Sequence, residues 1–250
     1  MKFRFGSFEI IVNIADKAAL LATVAARLAA RQGFALATIN LDHLVKLRDS
    51  AAFRQAYSAQ DLIVADGNPI VWLSKLARRP VALVPGADLV KPLAQVAAKA
   101  NAAVALVGST QQSLDAARDH LLQTVPGLTV VLCHAPAMGF DPSGPLADQI
   151  LADLTRLQVG LCFVALGAPK QEAFAARGRQ LAPRVGFASI GAGLDFLAGD
   201  QSRAPVWVRK IAMEWAWRAL TNPARLIPRY AACAAILPGQ ILQAVRLRSS

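Results

Sequence analysis

Apolar residues along the chain follow two spacings. Short runs rich in Val, Ile, Leu, Phe and Ala occupy 8–13, 34–40, 61–65, 81–84, 103–107, 129–133, 161–166 and 185–190. Between them, 17–31, 68–76, 89–99, 111–124, 146–157 and 170–181 are amphipathic at helical spacing or rich in alanine, the strongest helix former. Strands alternating with helices predict an α/β fold, with a Rossmann-like, mostly parallel sheet covered by helices on both faces. Several strand runs are apolar throughout, as burial on both faces requires. Ligands of such sheets gather beyond the carboxyl ends of the strands.

Those ends carry polar or glycine-rich residues. Thr38 and Asn40 end one strand and Asp66-Gly67 follows the next. Gly108-Ser109-Thr110, Gly167-Ala168-Pro169-Lys170-Gln171-Glu172 and Gly191-Ala192-Gly193-Leu194-Asp195 follow three others. Glycine after a strand is also ordinary turn chemistry, but five such ends together favour a site. After Asp200 the pattern changes. Trp207, Ile211 and Trp215 recur at helical spacing, and Arg218, Arg225 and Arg229 would align on one helix face. Pro223 and Pro228 interrupt this stretch, which predicts two short helices rather than one. The expected organisation is a core over 1–200 and a helical appendage over 201–250.

Charge sharpens that division. The 250 residues carry a net charge of +11, and 55% of them are hydrophobic, which excludes a disordered chain. Residues 201–250 hold eight basic residues and Glu214, hence +7, whereas 1–200 hold nineteen basic and fifteen acidic residues, hence +4. A basic tail on a balanced body indicates an anionic partner: lipid, nucleic acid or a phosphorylated ligand. Three of the four tryptophans lie in the tail, which suits a lipid-headgroup interface and argues against nucleic acid. Cys133, Cys162 and Cys233 are odd in number and set in apolar stretches, so reduced thiols are expected. Three histidines and three cysteines, of which only Cys133 and His134 are neighbours and none form a ligand-spaced group, predict no metal site. Neither a signal peptide nor an 18-residue apolar span is present in the sequence, so the expected location is cytoplasmic, peripheral on the inner membrane face. No G-x-x-x-x-G-K-[ST] occurs, and residue 196 is Phe where a dinucleotide fingerprint needs glycine. No cofactor is expected, and self-association is left open.

The order Thr38-Ile39-Asn40, Ala65-Asp66-Gly67, Pro85-Gly86-Ala87-Asp88, Leu106-Val107-Gly108, Leu166 to Glu172, Gly193-Leu194-Asp195-Phe196-Leu197-Ala198-Gly199, Arg203-Ala204-Pro205 and Glu214-Trp215 through Arg225 to Arg229-Tyr230 resembles the WecG/TagA/CpsF family of bacterial glycosyltransferases. The resemblance implies inverting, metal-independent transfer of a hexose or N-acetylhexosamine-type sugar from a UDP-sugar to an undecaprenyl-diphosphate-linked saccharide, in cell-surface polysaccharide synthesis. A catalytically inactive membrane-associated scaffold is the alternative. Asp66 matches the family's proposed catalytic aspartate. The chemistry agrees: a carboxylate at a strand end, followed by glycine, suits a general base. Capping of the helix from Asn68 is its other reading. Thr38 and Asn40 match polar neighbours of that base. His43 reads as a helix-surface histidine. Gly67, Gly108, Gly167 and Gly193 are candidate backbone contacts, while Gln171 and Asp195 match pocket residues, the latter placed to accept from ribose or uracil. Phe140 falls where an aromatic could stack on uracil. Arg218, Arg225 and Arg229 match arginines suited to a diphosphate. One departure is Leu83, where the family commonly has arginine; this favours glucose or another hexose as donor.

Overall fold

The computed structural model describes residues 1–200, 204–205, 207–208, 213–221 and 223–248. The chain opens with an antiparallel hairpin, β1 (Lys2–Phe5) and β2 (Phe8–Ile11), which forms its own two-stranded sheet. There follow α1 (Lys17–Ala29), β3 (Phe34–Ile39), α2 (Leu41–Asp49), α3 (Ala51–Ser58), β4 (Leu62–Ala65), α4 (Asn68–Leu76) and a 3-10 turn at Gly86–Asp88. Next come α5 (Val90–Lys99), β5 (Ala103–Gly108), α6 (Gln111–Thr124), β6 (Val130–His134), α7 (Pro145–Arg156), β7 (Val159–Ala165), α8 (Lys170–Leu181), β8 (Gly186–Ser189) and α9 (Gly193–Ala198). The described helices of the tail are α10 (Glu214–Thr221) and α11 (Pro223–Arg246). Six strands form one sheet in the order β4-β3-β8-β7-β5-β6, every neighbouring pair parallel.

Burial explains the sheet. All six residues of β3 and all four of β4 are buried, so both strands must be covered on both faces. Leu36, Val64, Leu106 and Phe163 pack under α1, α5 and α6. Ala105, Val107, Cys162 and Val164 pack under α7 and α8. Ala37, Ile39, Ile63 and Ala65 meet α2, α3, α4 and the hairpin.

Three expectations need correction. The run at 8–13 pairs with β1 and stays outside the parallel sheet. The run at 81–84 makes only a bridge, Ala65 to Leu83. Beyond Pro223, the chain does not form a short helix. Pro223 opens α11, where its missing N–H is harmless, and the helix continues through Pro228 and Pro238. Its apolar face, with Ile236 and Ala244 followed by Leu247, packs into the cluster containing Met1, Phe3 and Ile10, outweighing the two lost backbone donors. Gln243 Nε2 donates to Arg4 O at 3.5 Å, and Arg248 Nε donates to Leu76 O. No described helix is long and apolar enough to cross a membrane. All three cysteines are unpaired.

Candidate active site

Because the six strands run parallel, their carboxyl ends share one rim. From β3 the chain crosses over to β4 at the sheet edge, while β8 returns to β3's other side. Such a reversal opens a crevice between neighbouring strand ends. Asp66-Gly67 and Asn40 stand on one side of it. Gly191, Gly167 and Ser109 stand on the other.

On the β3/β4 side, the Asp66 N–H donates to Ile39 O at 2.7 Å, which fixes the residue beside the end of β3. Gly67, not Asp66, is the N-cap of α4. Its φ of +116° turns the chain sharply, in a region that L side chains avoid. A Cβ there would meet only Asn40 Cβ and Pro69 Cδ, each at 3.8 Å, so Asn40 and Asp66-Gly67 converge. Asp66 is half-buried. Asn40 caps α2, its Oδ1 accepting from His43 N at 3.0 Å. Thr38 is buried and its hydroxyl donates to Ser189 O at 3.4 Å, bridging β3 and β8. It thus acts on the crevice through the strand pair. Leu83, bridged to Ala65, is 41% exposed.

The β5/β7/β8 side is tied internally. Gln171 is 2% exposed. Its Oε1 accepts from Gly191 N at 3.2 Å and its Nε2 donates to Glu172 Oε1 at 2.8 Å. Asp195 accepts a hydrogen bond from the Ser109 hydroxyl. Gly167, with φ +69° and nothing near its missing Cβ, precedes the cis Ala168–Pro169 bond that leads into α8. Two of the candidate glycines turn their missing Cβ towards the protein. A Cβ on Gly108 would strike the Ala165 backbone at 2.4 Å, and one on Gly193 would crowd Val90 at 2.9 Å. Phe140 needs correction. It is 8% exposed and packs edge-on against Phe174, ring centroids 6.1 Å apart, which leaves no face for a base.

Behind the rim lies a polar layer that the sequence did not reveal. His43 is buried rather than on a helix surface, and its Nδ1 is 3.0 Å from the Tyr57 hydroxyl. Burial lowers its pKa to about 3, so the imidazole stays neutral. The Tyr57 hydroxyl is raised by burial and by the charges of Glu172 and Asp66. Burial pushes Glu172 up to about 7, against a hydrogen bond from Gln171. Asp42 behaves oppositely. Burial would raise it, but the Lys46 hydrogen bond and the Arg229 and Lys46 charges together hold it below the usual carboxylate range.

Asp42 also joins the tail to the rim. Its Oδ1 lies 2.9 Å from Arg229 Nε and its Oδ2 accepts from Lys46 Nζ at 2.7 Å. Lys46 in turn donates to Ala168 O at 3.2 Å. Of the three candidate arginines, Arg229 is therefore ion-paired beside α2. The side chains of Arg218 and Arg225, and Arg203 and Ile211 entirely, lie outside the described residues. Asp42, Lys46, Ser109 and Glu172 were not singled out as site residues. The i,i+4 pairing of Asp42 with Lys46, directly after Asn40, was the available signal for the first two. No group of three or more potential metal-ligating side chains converges among the described residues.

The profile of the glycosyl transferase WecG/TagA/CpsF family matches residues 7–250. An N-acetylglucosaminyldiphosphoundecaprenol N-acetyl-beta-D-mannosaminyltransferase of Bacillus subtilis (strain 168) is 27% identical over 207 residues, 80% of this chain and 78% of that protein. A Staphylococcus aureus (strain NCTC 8325 / PS 47) protein of the same name is 28% identical over 177 residues, 70% of this chain and 67% of that protein.

Proposed function

The chain belongs to the glycosyl transferase WecG/TagA/CpsF family, and from that premise we propose that it moves a hexose or N-acetylhexosamine-type sugar from a UDP-sugar to an undecaprenyl-diphosphate-linked saccharide during cell-envelope polysaccharide synthesis. The observation that carries this reading is the position of Asp66. It is a half-buried carboxylate at the sheet's reversal point, followed by a glycine that leaves room for substrate.

In this reading Asp66 takes the proton of the acceptor hydroxyl as that oxygen attacks the anomeric carbon. The bond from the anomeric carbon to the phosphate oxygen breaks, UDP departs with its electron pair, and the configuration inverts to β. Arg218, Arg225 and Arg229, the last shared with Asp42, answer the diphosphate charge without a metal ion. Residues 1–200 are the catalytic core, and 201–250 an appendage that serves both the site and an anionic membrane face. Exposed Trp207, Trp215, Leu220 and Ile227 on a tail of charge +7 support the membrane role. The relatives named above act, by their names, on an undecaprenyl-diphosphate-linked acceptor. Leu83 is exposed next to the strand that carries Asp66, and the lack of the family's usual arginine there favours glucose or another hexose as donor.

The test incubates the purified full chain, with and without EDTA, with a panel of UDP-sugars and a short-chain polyprenyl-diphosphate-linked N-acetylglucosamine. Product mass and anomeric configuration are then read. Transfer of one sugar with inversion, unaffected by EDTA, is the expected result. Absence of transfer from every UDP-sugar overturns the proposal.

A further inference from the structure

Glu172 is 0% exposed, and only one of its two carboxyl oxygens has a partner. Oε1 accepts from Gln171 Nε2, while Oε2 has no partner. Gln60, also buried, donates through Nε2 to Ala56 O at 2.8 Å and to Glu172 O at 3.1 Å, and its Oε1 is likewise without a partner. The two residues thus share a dry place in which acceptors outnumber donors. An ionised carboxylate there would be a buried charge held by the Gln171 side chain and by its own backbone N–H, with Oε2 unpartnered, an expensive arrangement. One proton on Glu172 turns an orphan acceptor into a donor and removes the charge.

The charged and titratable groups around it do not reverse this. Lys46 on α2 would favour the ionised form, but its ammonium is already shared between Asp42 and Ala168 O. Asp42 opposes ionisation. His43, also on α2, is neutral and bonded to Tyr57 of α3. Asp66 beyond β4 acts on Tyr57, and Arg229 of α11 is ion-paired with Asp42.

We propose that Glu172, in its protonated form and through Gln171, positions the Gly191–Asp195 turn on the donor side of the crevice. The amide orientation of Gln171 is fixed from both ends. Its NH2 must face the carboxyl oxygen of Glu172, and its oxygen must face the Gly191 N–H; the flipped amide would oppose donor to donor and acceptor to acceptor. Gly191, at φ +55°, starts the turn closed by Gly193 N to Ile190 O at 3.2 Å. That turn leads to Asp195, itself anchored by Ser109. A buried acid on α8 thereby sets the geometry of that loop through Gln171. Ionisation at alkaline pH puts a charge behind Gln171 that only rearrangement or water can answer. The turn then loosens, and burial places that transition near pH 7.

This rests on the crevice being the UDP-sugar site, so the experiment has one arm that needs no turnover. Carbonyl-13C-labelled glutamate in the full-length protein, compared with Glu172→Gln to assign the resonance, gives the titration midpoint directly. A midpoint near 7 is expected; one below 5 overturns the proposal whatever the enzyme turns over. In the second arm, the donor KM and kcat are followed from pH 5.5 to 9. The wild-type donor KM should rise on the order of three- to tenfold across the alkaline side, as Gln171 is displaced when the site rearranges around the buried charge on the unpartnered Oε2, with kcat changing less. Glu172→Gln should give a donor KM that no longer depends on pH. A wild-type KM flat across this range, or an alkaline rise that persists in Glu172→Gln, overturns it. Should the variant not fold, the wild-type titration and pH profile decide. If no UDP-sugar reacts but the midpoint is near 7, the functional reading fails and the buried acid stands.

Discussion

The two sides of the crevice are built on opposite plans. On the β3/β4 side, a half-buried carboxylate stands beside a glycine whose missing Cβ leaves space, and an apolar residue, Leu83, is exposed nearby. On the β5/β7/β8 side, Gln171 is spent at both ends on the protein, Asp195 takes the Ser109 hydroxyl, and Phe140 closes the back. One side offers chemistry, while the other is a platform whose polar groups chiefly hold one another. Reactive groups gain from space around the reacting atoms, whereas a recognition surface gains from having its geometry settled before the ligand arrives. Substitutions on the first side should therefore alter rate, and those on the second should alter stability or donor affinity.

The sharpest way to break this contrast is Asp66→Asn, which keeps size and hydrogen bonding but cannot take a proton. Turnover should fall by about 10²–10⁴, the usual contribution of a general base, with UDP affinity by calorimetry retained. Near-normal turnover would remove Asp66 from the chemistry. On the platform side, Phe140→Ala should lower unfolding stability by roughly 3–5 kcal/mol in urea titrations. The milder Phe140→Leu should leave the donor KM unchanged, whereas a stacking ring would show the reverse pattern.

A third expected effect is in pH dependence. His43 has a folded pKa depressed from 6.5 to about 3, so its burial contributes a loss of stability as pH falls through that interval. Glu172 has a folded pKa raised from 4.5 to about 7, so stability rises as pH falls from 7 towards 4.5. Between about 4.5 and 6.5 the two slopes oppose each other. Urea midpoints of Glu172→Gln should therefore fall more steeply with acid than those of the wild type, by on the order of 2–3 kcal/mol over that window. Parallel profiles would mean that Glu172 titrates as it does in the unfolded chain. The smallest effect belongs to Asp42→Asn, which unlinks Arg229 and Lys46 without emptying the site. A loss of about 1 kcal/mol in stability is expected, together with a measurable rise in acceptor KM. An unchanged KM would detach the tail from the crevice.

Most of the sheet was legible because β3 to β8 are apolar runs bounded by polar turns. The segment 41–58 was not, because His43, Lys46, Arg48 and Asp49 break any apolar run there. Yet α2 and α3 bury Leu44, Leu47, Phe53 and Tyr57 on one side. Asp66 could be singled out because an acid at a strand end is visible locally. His43, Phe140 and Glu172 could not be placed, because their burial depends on Tyr57, Phe174 and Gln60, residues set by tertiary packing. Pro228 misled for the same reason, and the helix runs through Pro238 as well. Local propensity argues against a helix, and the hydrophobic face that sustains it has its partners at the other end of the sequence.

That pairing has a kinetic side. The hydrogen bond from Gln243 to Arg4 spans 239 residues, and the cluster uniting Met1, Phe3 and Ile10 with Ile236, Ala244 and Leu247 closes a loop of similar length. A two-stranded hairpin has little stability alone. During synthesis α2 to α4 can cover part of it early, but the apolar face that meets Ile236, Ala244 and Leu247 waits for a helix made more than two hundred residues later. Among the described parts of the fold it is a place where slow translation or a shortened chain leaves a template for aggregation.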